Sequence, residues 1–159
     1  MPDFEIRKIK ENDALGLSHI FPHWGITRAK REVKRALALG SQWRLVAEKD
    51  SNIAGHVLVK LGSSNHAHLA SIYSLAVDPA QRGKGIAQAL VMEALKTMPE
   101  RIEIVLAEVQ HDNEPAKSLF AKAGFKQYGY LPNAFKHDGK YKDNILLQKI
   151  LSEKATGKP

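Results

Sequence analysis

One stretch constrains this chain more than any other: Leu75-Ala76-Val77-Asp78-Pro79-Ala80-Gln81-Arg82-Gly83-Lys84-Gly85-Ile86-Ala87, where a strand pattern runs into a glycine-rich turn and the turn opens a helix. Glycines let backbone N–H groups come close to an anion, and the unpaired N–H groups of a helix's first turn point at it. Arg82 and Lys84 add full positive charges. The junction therefore reads as a phosphate site, the alternative being an empty tight turn. It is not a P-loop, and the Rossmann fingerprint fails because Gln88 stands where glycine or alanine is required. No G-x-S-x-G elbow occurs in the chain.

Hydrophobic period places the junction within a longer alternation of elements. Phe4 to Ile9 reads as a strand, and Glu11-Asn12-Asp13 as the cap of a helix through Leu17. Ile26, Ala29, Val33, Ala36 and Leu37 recur at helical spacing, with Arg28, Lys30, Arg31, Lys34 and Arg35 on the remaining arc. Trp43–Glu48 and Ile53–Val59 read as a hairpin about the turn Lys49 to Asn52, and Ala67–Val77 as a fourth strand. A helix with a wide apolar face follows from Ile86 to Met98. Ile102–Val109, apolar on nearly both faces, reads as a central strand. Asn113 is set to cap a second helix, with Pro115 in its first turn and Gly124 as its stop. Two strands complete the chain, Phe125–Leu131 and Tyr141–Leu151, with Asn133–Tyr141 between them. The expected fold is α+β, a mixed sheet with helices packed on it.

Length and composition set the bounds. The 159 residues, 43% hydrophobic and 26% charged, suit one globular domain over 1–151, followed by a polar tail over 152–159. With no cysteine, disulfides, thiolate metal sites and a cysteine nucleophile are excluded together. His66 and His68 lack a third ligand, so no metal is expected. No apolar run reaches membrane length and the amino terminus lacks a signal-peptide layout, so a cytoplasmic address is expected and no membrane partner. The net charge of +7 is spread over both halves and favours an acidic ligand. Nucleic acid is not expected, because the basic arc carries no interleaved exposed aromatics.

Arg82-Gly83-Lys84-Gly85-Ile86-Ala87 fits [R/Q]-x-x-G-x-[G/A] directly after a strand, and Asn113 is followed by Ala116, Leu119-Phe120 and Gly124-Phe125. In both respects the chain resembles the GNAT superfamily of N-acetyltransferases, over roughly residues 53 to 125. The resemblance implies the GNAT fold, a central, mostly antiparallel mixed sheet flanked by helices. It also implies acetyl-CoA as co-substrate, with its pyrophosphate on the backbone of Arg82, Gly83, Lys84, Gly85, Ile86 and Ala87. The pantetheine arm would run beside Leu75, Ala76 and Val77, and Asn113, Ala116 and Phe120 would complete the cofactor segment. The acceptor would be a small-molecule amine or a peptide or protein amine, and a homodimer is compatible with the resemblance.

Acetyl transfer to an amine needs a base, because an ammonium cannot attack, and a group to stabilise the departing thiolate. Glu108 falls on the even face of Ile102, Ile104 and Leu106, where an apolar residue would be expected, and the resemblance implies a base there. The alternative is a glutamate paired to a neighbour. Where many family members carry a tyrosine acid, this chain has Phe120. Tyr73 and Tyr128 become the expected acids, with Tyr130 and His111 as further candidates, unless the thiolate leaves unprotonated. A catalytically silent acyl-CoA-binding module of the same fold is the rival reading.

Overall fold

The computed structural model describes residues 2–152, so the expected polar tail lies, from residue 153 on, outside the described residues. The elements are β1 (Glu5–Lys8), α1 (Ala14–Ile20), α2 (Gly25–Ala38), β2 (Gln42–Lys49), β3 (Asn52–Leu61), β4 (Leu69–Val77), α3 (Ile86–Thr97), β5 (Ile104–Gln110), α4 (Glu114–Lys122), β6 (Lys126–His137) and β7 (Lys140–Ile150). The strands form one sheet in the order β1-β2-β3-β4-β5-β7-β6. Its neighbours are antiparallel at β1/β2, β2/β3, β5/β7 and β6/β7 and parallel at β4/β5. This is the mixed, mostly antiparallel α+β sheet expected from the sequence, and the chain divides into two compact units that share β4.

The first unit runs to Leu61 and is taken up again over Tyr73–Met98. Its β2–β3 hairpin turns on Asp50 and Ser51, both with positive φ, as a two-residue primed turn requires. Gly55 and His56 are consecutive on β3 and so point to opposite faces. A Cβ on Gly55 would lie 3.0 Å from Ile86 Cγ2 and 3.2 Å from Leu90 Cδ1, which places α3 against that face. On the other face His56 meets Phe21, and α1 and α2 pack through Ala14, Leu17, Ala29 and Val33 against Val46 and Ile53.

The expected cap at Glu11 to Asp13 takes another form. Those residues make a 3-10 turn, and Asp13 gives its carboxylate to Arg7 at 2.8 Å through both oxygens and to the Lys10 N–H at 2.7 Å. Burial pushes the Asp13 carboxyl up, but Arg7 and the Lys10 N–H outweigh it and hold it below the usual carboxylate range.

The second unit holds Gly62–Ile72 and the described chain from Pro99 on. Leu69–Ile72 of β4 run parallel to Ile104–Ala107 of β5, and β7 pairs along the other edge of β5. Val105, Ala107 and Val109 are buried, and Phe120 and Phe125 meet edge to face with centroids 5.0 Å apart. Asn113 caps α4 as expected, its Oδ1 accepting from Ala116 N at 3.2 Å. The segment Asn133–Tyr141 differs from expectation. It continues the β6–β7 hairpin, with β6 reaching His137 before a turn at Asp138 and Gly139. Pro132 and the positive φ of Asn133 are tolerated because β6 is the sheet's edge and breaks register between Leu131 and Phe135.

Candidate active site

The junction after β4 is built by local chemistry. Asp78 ends the strand, its N–H bonded to Ala54 O at 2.9 Å, and its Oδ1 accepts from Ala80 N at 2.9 Å to start a 3-10 turn over Pro79–Gln81. Gly83 and Gly85 then both sit in the left-handed region, at φ 76° and 78°, which side-chain-bearing residues rarely adopt. Gly85 is the N-cap of α3, and among the described residues no side chain caps that helix. In α4, by contrast, Asn113 does so.

The first-turn N–H groups of α3 thus carry the partial positive charge of the helix, and among the described residues no carboxylate or hydroxyl satisfies them. A Cβ added at Gly83 or Gly85 would meet nothing within 4 Å. Arg82 and Lys84 are exposed, Lys84 donating to Gln81 Oε1 at 2.8 Å, and Ile86 is buried as the anchor of the helix. Leu75, Ala76, Val77 and Ala87 are half-buried beside this turn in the chain. An open backbone cradle with two adjacent cations suits a pyrophosphate.

In the second unit Glu108 is exposed and accepts a hydrogen bond from Asn144 Nδ2 at 3.2 Å, opposite Leu146 on β7. Asn113 is exposed, with its oxygen used as a cap. Ala116 is half-buried, and Phe120 is 5% exposed, part of the core with Phe125. Among the tyrosines, Tyr128 is half-exposed. Tyr130 donates its hydroxyl to Asp143, and that hydrogen bond pushes its pKa up, making it a poorer acid. Tyr73, in the first unit, is exposed and carries the Lys60 ammonium 3.2 Å from its ring centroid.

Sequence reasoning missed a buried polar group in the first unit. Arg44 on β2 and His56 on β3 are 4% and 0% exposed, and Arg44 Nη1 lies 3.4 Å from His56 Nδ1. His56 Nε2 lies 3.3 Å from the hydroxyl of Ser74 on β4. Phe21 lies edge-on to His56 and stacks on Trp24. The only sequence signal was an arginine and a histidine set within apolar strand runs.

A strand, an uncapped helix opening on left-handed glycines, and a mixed seven-stranded sheet define an acyl-CoA N-acyltransferase type of architecture, and comparison with known proteins agrees. The profile of the Acetyltransferase (GNAT) family matches residues 17–125, and the chain belongs to that family. A Bacillus subtilis (strain 168) protein, YwnH, named as a candidate phosphinothricin acetyltransferase, is 38% identical over 80 residues, 50% of this chain and 49% of that protein. The N-alpha-acetyltransferase of Sulfurisphaera tokodaii is 29% identical over 133 residues, 77% of this chain and 75% of its own. The spermidine N(1)-acetyltransferase of Escherichia coli (strain K12) is 32% identical over 108 residues, 66% of this chain and 56% of its own. The chain thus spans about half the length of several curated relatives it matches. Among solved structures, a ribosomal-protein-alanine N-acetyltransferase from Brucella melitensis superposes with a TM-score of 0.83 at 21% identity, over 92% of this chain and 99% of that one. Among the described residues no helix is long and apolar enough to cross a membrane.

Proposed function

We propose that the chain is an acetyl-CoA-dependent N-acetyltransferase that passes the acetyl group directly to a primary amine while both substrates are bound. The observation that carries this reading is the uncapped N-terminus of α3 behind Gly83 and Gly85, an anion cradle at the place the family's cofactor motif occupies. The relatives named for spermidine and for N-terminal amines support an amine acceptor. A chain without cysteine has no thiol to carry the acetyl group between substrates, which favours direct transfer.

In this reading the backbone of Arg82 to Ala87 holds the pyrophosphate, and Leu75, Ala76 and Val77 offer main-chain hydrogen bonds to the pantetheine arm as an added strand would use them. A backbone N–H of Leu75 or Ala76 stabilises the developing oxyanion. The amide of Asn113 contacts the arm, beside Ala116 and Phe120. Glu108 takes the amine's proton, directly or through water. When bound, acetyl-CoA supplies the activated acetyl group.

Calorimetric titration with acetyl-CoA tests the reading without knowledge of the acceptor. The wild type should bind in the micromolar range. Gly85→Val, which forces a β-branched side chain into left-handed backbone and puts its Cβ into the open cradle, should weaken binding at least about tenfold. Absence of binding at millimolar acetyl-CoA would refute the assignment. The buried Phe120, unable to give a proton, favours a second reading, a silent acyl-CoA-binding module. That module would bind equally well yet release no CoA thiol with any amine pool, including a crude cell extract.

A further inference from the structure

Arg44, His56 and Ser74 form a chain of side chains whose hydrogen-bond directions can be worked out from what each group is able to donate. A guanidinium has only donors, so the His56 Nδ1 that faces Arg44 Nη1 at 3.4 Å must accept. The imidazole then carries its single hydrogen on Nε2 and gives it to Ser74 Oγ, 3.3 Å away. A protonated imidazole would set N–H against N–H at Arg44, and burial, reinforced by the Arg44 charge, holds the His56 pKa down at about 3. The polarity is therefore opposite to that of a serine nucleophile with its histidine base. Ser74 Oγ receives a hydrogen bond, and its own hydrogen is left to be given away.

The rest of the cluster keeps that polarity in place. Arg44 stays cationic at any working pH, yet among the described residues the one carboxylate paired with it, Glu32 on α2, approaches only to 4.0 Å, and the Arg44 Nε has no hydrogen-bond partner. Phe21 lies edge-on to the imidazole with centroids 4.8 Å apart, and Trp24 stacks on Phe21 at 4.3 Å, with Arg44 6.0 Å from the Trp24 ring. Burying a guanidinium with incomplete neutralisation is costly, and such a departure from local rules is expected where function needs it. The aligned donors run from a buried positive charge to a half-buried hydroxyl on β4, each polarising the next. Ser74 directly precedes Leu75, where the arm of acetyl-CoA is proposed to lie.

We propose that Ser74 donates a hydrogen bond to the thioester sulfur as it becomes a thiolate, with His56 and Arg44 as the residues that aim and polarise its hydroxyl. This rests on the acetyl-transfer reading above and supplies what Phe120 cannot. As the amine nitrogen bonds to the acetyl carbon, the carbon–sulfur bond breaks with its electron pair passing to sulfur. The amine's surplus proton goes to the general base of the acetyl-transfer reading, and Ser74 keeps its own proton while hydrogen-bonding to the sulfur.

The ultraviolet absorbance of the thiolate in the protein–CoA complex, followed against pH, reads this contact without an acceptor or turnover. Wild-type protein should hold the thiol of bound CoA below its free pKa. Ser74→Ala should reduce the thiolate fraction about tenfold at a pH below that value. Ser74→Thr, which keeps the hydroxyl, and His56→Gln, which can accept from Arg44 and donate to Ser74, should titrate as the wild type does. A merely structural role for Ser74 would leave the bound thiol unmoved in Ser74→Ala, and that result overturns the inference while the acetyltransferase reading stands. Failure of the wild type to bind CoA would instead remove both.

Discussion

A histidine without exposed surface cannot take up a proton where histidines ordinarily do, and His56 makes this a property of the folded state. Burial and then the Arg44 charge bring its pKa to about 3, whereas in the unfolded chain it returns to about 6.5. Between those values the unfolded chain binds a proton that the folded protein does not. Unfolding is therefore favoured increasingly as pH falls, by about 1.4 kcal/mol per pH unit. The contribution of neutral His56 is complete above pH 6.5 and is lost progressively toward 3. Urea unfolding at several values between pH 6.5 and 4.5 should show this slope in the wild type. In His56→Gln, which keeps both hydrogen bonds but does not titrate, the slope should be nearly flat. Equal slopes in the two proteins would mean that His56 is protonated in the fold, and the acceptor role assigned to its Nδ1 beside Arg44 would fall with it.

At the level of elements, the packing of α1 on β3 turns on one residue without a side chain. A Cβ on Gly16 would lie 2.8 Å from Ile53 Cβ and closer still to its Cγ1, inside any real contact. Helix propensity alone predicts that Gly16→Ala stabilises the helix by about 1 kcal/mol. The branched Ile53 is itself buried at 9% exposure and cannot swing away, so overpacking by about 1–3 kcal/mol should win. Thermal unfolding should show Gly16→Ala melting several degrees below the wild type, and a rise would mean that α1 sits further from the sheet than the fold indicates. Local signals of this order made most elements legible in the sequence. Glycines at the end of a strand pattern announced the left-handed turn at Gly83 and Gly85, and Asn113 with Pro115 announced α4. The length of β6 was not legible, because Pro132 and Asn133 look like a loop unless the strand is known to lie at an edge. Nor was the Arg44–His56–Ser74 chain, since its links are 12 and 18 residues apart in sequence and depend on strand register. Alternation assigns a face to a residue and leaves its cross-strand partner open.

For the molecule as a whole, charge bears on which amine the proposed reaction uses. The net charge of +7 is joined by a local excess on α2, where Arg28, Lys30, Arg31, Lys34 and Arg35 are all exposed and Glu32 is the one acid. Such a field draws in the phosphates of acetyl-CoA, and it repels a polycation approaching the same protein. The Escherichia coli relative is named for spermidine. In this chain the field opposes an acceptor of that kind and favours an amine that carries a carboxylate or lies in an acidic peptide. With acetyl-CoA saturating and salt low, an acidic peptide with a free amino terminus should be acetylated at least about tenfold more efficiently than spermidine. The difference should shrink as ionic strength rises toward 1 M, where screening confines charge effects to about 3 Å. Contact chemistry within the acceptor site would persist at high salt, so the salt dependence separates steering from recognition. Spermidine acetylated as efficiently as the acidic peptide at low salt would show that the surface field has no part in acceptor choice.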